Sequence, residues 1–292
     1  MPNKKRAKTI LVTGATGRQG GASLTHLRKN GYSVRALTRN PDQPKARDLL
    51  GSGVEVVRGD MSDKRTLLTA MEGAYGVHSV QNPYEAGIDG EIRQGINVAD
   101  AAKSSSITHF IYSSVASADR HTGIPHFDSK VRIEEHIRGI GMRFTILRPV
   151  FFMENWLMLR PSIESGALAL PLSPETRLQM IAVDDIGGLT AQVFDHPGKW
   201  QDRVFEIAGD ELSMSQLAEV FTRASGREVR YRQVPWDEYE QQVGPDLGRM
   251  YRWFQETGYH ADIGAVRQEY HRLTSFDQWM NLHWHTAVHT AH

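Results

Sequence analysis

The stretch Thr9–Gly21 reads T-I-L-V-T-G-A-T-G-R-Q-G-G and decides the fold. Ile10-Leu11-Val12 is a short apolar run that leads straight into Gly14, Gly17 and Gly20. An amphipathic helical pattern follows, with Leu24 and Leu27 on one face. The order is strand, tight glycine turn, helix N-terminus. Gly14 lets the chain turn sharply, Gly17 leaves room for a pyrophosphate, and Gly20 lets the helix pack closely. The helix N-terminus offers N–H groups and the positive end of a dipole, both suited to phosphate. The spacing is G-x-x-G-x-x-G, and Gly14, Thr16, Gly17, Arg18, Gln19 and Gly20 are the expected dinucleotide contacts. A glycine-rich βα turn that binds nothing is the alternative.

The second strand, Tyr32–Thr38, ends at Arg39-Asn40. NAD sites place an Asp or Glu there for the ribose 2′-OH. A guanidinium instead binds a 2′-phosphate through charge-assisted, bidentate contacts. Arg39, helped by Arg18, therefore favours NADP(H) over NAD(H). A solvated loop arginine is the competing reading of Arg39.

At 292 residues the chain can bury roughly three quarters of its unfolded surface. Lys plus Arg and Asp plus Glu each number 34, so nothing steers the chain toward nucleic acid or an anionic membrane. Lys4-Lys5-Arg6 reads as a solvated basic arm. The absence of cysteine excludes a disulfide framework, a thiolate metal site and a cysteine nucleophile. No apolar run approaches transmembrane length and no signal peptide is expected, so the expected compartment is the cytoplasm.

Strands alternate with helices through the first half. Val54–Val57, Gly76–Val80, His109–Ser114 and Phe144–Leu147 read as strands, the last stopped by Arg148-Pro149. Helices are expected near Lys64–Met71, Gly90–Lys103 and Asp128–Arg138. This predicts an α/β, Rossmann-type doubly wound parallel sheet. Ligands in such sheets bind beyond the carboxyl ends of the strands, which places Gln81-Asn82, Ser113-Ser114 and Val150-Phe151-Phe152 around the nucleotide crevice.

The second half is less regular. Asn155–Ile163 reads as a helix, Gly166–Pro174 as a loop and Leu178–Val183 as a strand. Asp184 or Asp185 reads as the cap of a helix to about Phe194, and Arg203–Ile207 as a strand added to the main sheet. From Ser213 the pattern is mainly helical, over Met214–Ala224, Trp236–Gln242, Leu247–Glu256 and Phe276–Trp284. The expected division is a nucleotide-binding domain of 1–153 plus roughly 178–207, and a smaller, mostly helical substrate or partner domain of 154–177 plus 208–292.

Several segments together resemble one family. They are G-A-T-G-R-Q-G in the glycine loop, R-G-D-M at Arg58–Met61 and H-F-D-S-K at His126–Lys130. L-R-P-V-F-F-M-E-N at Leu147–Asn155 and V-D-D-I-G at Val183–Gly187 complete the set. The chain from about Thr9 to Trp279 is similar to the NmrA-like family, within the atypical short-chain dehydrogenase/reductase superfamily. The resemblance implies a Rossmann domain that binds NADP(H), with Asp60 and Met61 beside the adenine. It leaves catalysis open, because the family mixes reductases with redox sensors that act on partner proteins.

Catalytic members of the superfamily carry Y-x-x-x-K, and this chain has His126 and Lys130 at that spacing. The tyrosine is absent. Lys130 holds the nicotinamide ribose in one reading and acts as acid/base in another. His126 titrates in the right range to replace the tyrosine, and a loop histidine without a role is the alternative. Ser113 and Ser114 match the position of the superfamily's catalytic serine, although a turn cap explains a serine there equally well. Pro149 and Phe152 join the expected cofactor contacts. Phe151, Asn155 and Trp156 follow the sixth strand and are candidates for a substrate pocket, with core packing as the plainer account.

His285 and His289 lie one helical turn apart in H-W-H-T-A-V-H-T-A-H, with no carboxylate or cysteine beside them, so no metal site is expected. Two functions stay open. One is an NAD(P)H-dependent reductase of a small, apolar, quinone-like or conjugated carbonyl substrate. The other is a non-catalytic NADP(H) redox sensor with a regulatory protein partner. A tailoring enzyme with other chemistry in the same pocket is a third. A homodimer is compatible with each.

Overall fold

The computed structural model describes residues 8–284, so Lys4-Lys5-Arg6 and the His285 and His289 pair lie outside the described residues. The strands are β1 (Thr9–Val12), β2 (Ser33–Thr38), β3 (Glu55–Arg58), β4 (Gly76–Ser79), β5 (His109–Ser113), β6 (Phe144–Pro149), β7 (Phe151–Phe152), β8 (Ala167–Leu170), β9 (Arg177–Ile181), β10 (Arg203–Ile207), β11 (Asp210–Ser213) and β12 (Arg230–Gln233). Two compact units divide the chain. Within the described residues the first comprises 8–119, 125–148 and 186–205, and the second 120–124, 149–185 and 206–284.

The first unit is built on a seven-stranded sheet in the order β10-β6-β5-β4-β1-β2-β3. Pairing is parallel from β3 across to β6. This is a Rossmann-type doubly wound sheet, and its order reverses between β1 and β4. Ile10, Leu11 and Val12 are fully buried, as a strand covered on both faces requires. Leu11, Val77, Phe110, Tyr112 and Ile146 from the sheet meet Leu67, Val98, Ala102 and Ile133 from the helices in one core.

Two glycines fix how closely helices approach in this unit. A Cβ on Gly95, in the helix Ile88–Ser104, would lie 2.5 Å from Ile133 Cδ1 and 2.8 Å from Ile133 Cγ1 and Cγ2. Ile133 belongs to the helix Pro125–Gly139, so the two helices touch at this point. A Cβ on Gly187, in V-D-D-I-G, would lie 2.6 Å from the backbone carbonyl carbon of Ala22 in the helix Arg18–Lys29.

The second unit holds a three-stranded sheet, β11-β9-β7, and a two-stranded sheet, β12-β8. Its C-terminal part is helical over Met214–Ser225, Trp236–Val243, Pro245–Glu256, Ile263–Glu269 and Phe276–His283. Three carboxylates hold the last segment. Glu154 accepts from Trp279 Nε1 at 2.9 Å, Asp185 from the Thr274 backbone N–H at 2.8 Å, and Asp210 from the Phe276 backbone N–H at 2.8 Å.

Local reading errs at four places here. Gly166–Pro174 is not all loop, because Ala167–Leu170 pairs in parallel with Arg230–Gln233. Asn155–Ile163 is not one α-helix but a 3₁₀ helix, Met153–Leu159, followed by a short α-helix, Arg160–Glu164. Pro161 supplies no N–H and so opens the α-turn rather than continuing the preceding one. The sixth strand runs through Arg148 to Pro149, since the Arg148 charge is neutralised by Glu134 and Asp119. The helix Val183–Asp195 starts too early for either aspartate to be its cap, and its first N–H, that of Val183, donates to Glu154 at 3.1 Å.

Candidate functional site

The glycine turn leaves β1 at its carboxyl end, beside the point of sheet reversal. Gly14 has φ +59°, a conformation that L side chains rarely adopt. A Cβ on Gly20 would fall 2.3 Å from the Gly14 carbonyl oxygen, so only glycine lets this helix start so close to the turn. Gly17 is exposed and is the N-cap of the helix Arg18–Lys29. It makes no side-chain cap, and the first turn carries no acidic residue. The helix thus places no negative group of its own in its first turn, which suits this end to phosphate. Thr13 locks the turn to β4, donating to the Val80 carbonyl at 2.9 Å and accepting from the Val80 N–H at 2.7 Å. Thr16 is half-buried and Arg18 exposed.

Other expected cofactor residues gather at neighbouring strand ends. Gln19 Nε2 donates to Ser113 Oγ, which ties the first turn of the helix to the end of β5. Gln81 is buried, and its Nε2 donates to Ser79 Oγ at 2.9 Å and lies 3.6 Å from Met61 Sδ. Gln81 Oε1 and Ser114 Oγ are buried with no hydrogen-bond partner among the described residues. Buried polar atoms are normally paired, so these two suit a polar ligand. Asp60 Oδ1 accepts from the Ser62 N–H at 2.8 Å, and Asn97 Nδ2 donates to the Met61 carbonyl at 3.1 Å. Arg39 is exposed at the end of β2, and its Nη2 lies 3.0 Å from Glu85 Oε2.

Lys130 lies in the first half of the helix Pro125–Gly139. Its Nζ is 2.7 Å from Oε1 of Glu91, a carboxylate with no exposed side-chain surface. Ser129 Oγ donates to Glu91 Oε2 at 2.5 Å. The helix is also tied to β6. Arg148 donates from Nε and Nη2 to Glu134 at 2.9 and 2.7 Å, and its Nη1 lies 2.8 Å from Asp119. Burial alone would lower the Arg148 pKa, but Glu134 and Asp119 hold it raised.

His126 is buried, with its ring 5.9 Å from Tyr84 and 5.0 Å from Phe127. Ser113 bonds Gln19 and Lys130 bonds Glu91, so these contacts do not join serine and lysine into a relay. In the second unit, Pro149 ends β6 and Phe152 and Asn155 are half-buried. Phe151 packs against Trp156 at 5.3 Å and Phe254 at 6.2 Å, and Trp156 Nε1 donates to Met180 Sδ at 3.1 Å. Phe151 and Trp156 are therefore part of that unit's core.

Glu91 and Glu85 are functional candidates that motif reading passes over. Glu91 carries a legible signal. It shares a stripe with Gly95, Val98 and Ala102 at helical spacing, and a carboxylate on such a face needs a partner. Glu85 carries none, because it reads as an ordinary exposed acid after a proline.

The NmrA-like family model matches residues 6–282, and the chain belongs to that family. It is 31% identical to an NAD(P)H azoreductase of Xenophilus azovorans, over 80% of this chain and 79% of the relative. It resembles an NADPH-dependent quinone oxidoreductase of Escherichia coli solved with NADPH, at TM-score 0.81, 25% identity, and coverage of 94% of this chain and 99% of that one. It also shares its fold with NmrA, a negative transcriptional regulator solved with NADP, at TM-score 0.81, 23% identity and 97% coverage of each chain. No helix among the described residues is long and apolar enough to cross a membrane.

Proposed function

We propose that this NmrA-like chain is an NADPH-dependent reductase of small, apolar acceptors such as quinones or conjugated carbonyl compounds. The observation that carries the reading is the pairing of a phosphate-ready glycine turn with a lysine fixed by a buried carboxylate on the helix after β5. The likeness to an azoreductase and to a quinone oxidoreductase supports it.

The chain's own residues divide the work. The turn at Gly14, Gly17 and Gly20 receives the pyrophosphate, and Arg39 the 2′-phosphate. Gln81, Asp60 and Met61 border the adenosine. Lys130 keeps Nζ donors for the nicotinamide ribose beyond the one given to Glu91. NADPH supplies a hydride, and the matching proton comes from Lys130 or water.

A redox sensor is the second reading, and His126 in place of the tyrosine favours it. Loss of NADPH absorbance with 1,4-benzoquinone, menadione and an azo dye separates the two. A reductase consumes NADPH in proportion to acceptor, and Lys130→Ala cuts turnover roughly a hundredfold at saturating NADPH. Background rates with every acceptor, beside intact NADPH binding, favour the sensor.

A further inference from the structure

We propose that Glu91 is a positioning residue that sets dinucleotide affinity through Lys130. The inference rests on the reading of Lys130 as a cofactor-contacting lysine and goes beyond it to the group that aims that side chain.

Both Glu91 oxygens are engaged by consecutive residues of one helix. Oε1 takes Lys130 Nζ at 2.7 Å and Oε2 takes Ser129 Oγ at 2.5 Å. Two anchors fix the carboxylate plane, and the plane fixes where Nζ stands. The pair is asymmetric. Glu91 has no exposed side-chain surface, whereas Lys130 keeps 12%. The carboxylate is sealed, whereas the lysine side chain is not, and its ammonium has more donors than Glu91 Oε1 uses. Burial pushes the pKa of the nearby Tyr112 phenol well above 10, and Glu91 and Glu134 add to the rise.

Stability is a weak reason to keep such a pair, since a buried ion pair often does no better than an apolar replacement. The helix contact beside the pair is apolar. Gly95 lies one turn beyond Glu91 and Ile133 three residues beyond Lys130, and these two make the close helix contact. That contact brings the acid and the lysine together without either bending away from its helix.

The test is a double-mutant cycle on NADPH affinity, measured by calorimetry on the full chain with melting midpoints recorded alongside. Glu91→Gln should weaken NADPH roughly tenfold in the wild-type background. In the Lys130→Met background the same change should leave the dissociation constant essentially unaltered, because no ammonium remains to be aimed. Ser129→Ala removes one anchor while keeping the carboxylate. It should weaken NADPH less, and again only when Lys130 is present. This second variant serves if Glu91→Gln does not fold.

A Glu91→Gln chain with a lowered melting midpoint but unchanged affinity overturns the proposal. So does equal weakening in both backgrounds. If Lys130→Met itself binds NADPH as the wild type does, the reading of Lys130 fails and the proposal falls with it. A weak Lys130→Met beside a silent Glu91→Gln removes the role of Glu91 alone.

Discussion

Arg39 Nη2 lies 3.0 Å from Glu85 Oε2, and both side chains are exposed. Glu85 also accepts from Asn82 Nδ2 at 3.3 Å, and Asn82 caps the short helix Pro83–Ala86. The arginine expected to receive a 2′-phosphate is therefore shared with a carboxylate after β4. A phosphate must compete with Glu85 for the same guanidinium.

Cofactor choice should follow from that competition. Arg39→Ala should weaken NADPH by a charge-assisted contact of roughly 1.5–3 kcal/mol, or about tenfold to a hundredfold. Affinity for NADH should be unchanged. Glu85→Gln should tighten NADPH and leave NADH alone. Exposed pairs are screened by salt, so the Glu85 effect should shrink as ionic strength rises. Parallel titrations with both nucleotides decide the matter, and equal wild-type affinities for NADPH and NADH would contradict it.

The glycine turn makes a sharper distinction between two of its members. At Gly17 a Cβ would meet only the Gly14 carbonyl oxygen, at 3.2 Å, and the position is exposed. Gly17→Val should abolish NADPH binding and leave the melting midpoint nearly unchanged. At Gly20 the corresponding distance is 2.3 Å. Gly20→Ala should lose binding and stability together, because the turn itself must open. Calorimetry and thermal melts on both variants check the contrast.

Gly95→Val tests the helix contact. Its Cβ would fall 2.5 Å from Ile133 Cδ1, and the branched Cγ atoms at 2.8 Å leave no easy rotation. Overpacking of this kind typically costs roughly 1–3 kcal/mol. Urea midpoints should drop accordingly. NADPH affinity should also fall, since Glu91 and Lys130 are pushed apart with their helices.

Stability should also depend on pH. Burial lowers the His78 pKa from 6.5 to about 3. It lowers that of His109 to about 4, with Asp202 raising and Arg143 lowering the value further. Both rings are neutral in the fold, whereas the unfolded chain takes up protons below pH 6.5. Stability from these two is present above that pH and is lost as pH falls toward 4, by up to about 1.4 kcal/mol per pH unit for each ring. Asp185 in the second unit runs the other way, because burial raises its pKa from 3.8 to about 6. Urea unfolding at pH 7.5 and 5.0 should show a lower midpoint at pH 5.0, and His78→Leu should flatten the dependence. An unchanged midpoint would count against it.

The first unit was largely legible because its signals are local. The helix Lys64–Met71 is bounded by Asp63, which caps it by accepting from the Arg65 N–H, and its apolar positions repeat at helical spacing. The strands around the glycine turn are continuous apolar runs. β8 and β12 were not legible, because Ala167–Leu170 finds its partner only at Arg230–Gln233. Ala-Leu-Ala-Leu between a glycine and a proline carries no local sign of that pairing. The site divides the same way. Gly20 and Gln19 follow from spacing, but the hold of Glu91 on Lys130 joins positions 39 residues apart and depends on how two helices meet.

The three carboxylates that hold Thr274, Phe276 and Trp279 have a consequence for the order of synthesis. A chain made to residue 205 already contains every segment of the first unit, including the glycine turn and Lys130 with its acid. The second unit is interleaved differently. Glu154, Asp185 and Asp210 wait for partners that leave the ribosome more than sixty residues after the last of them. The first unit is thus complete as a nascent chain at a stage when Glu154 and Asp185 of the second still lack their partners and Asp210 is yet to be made.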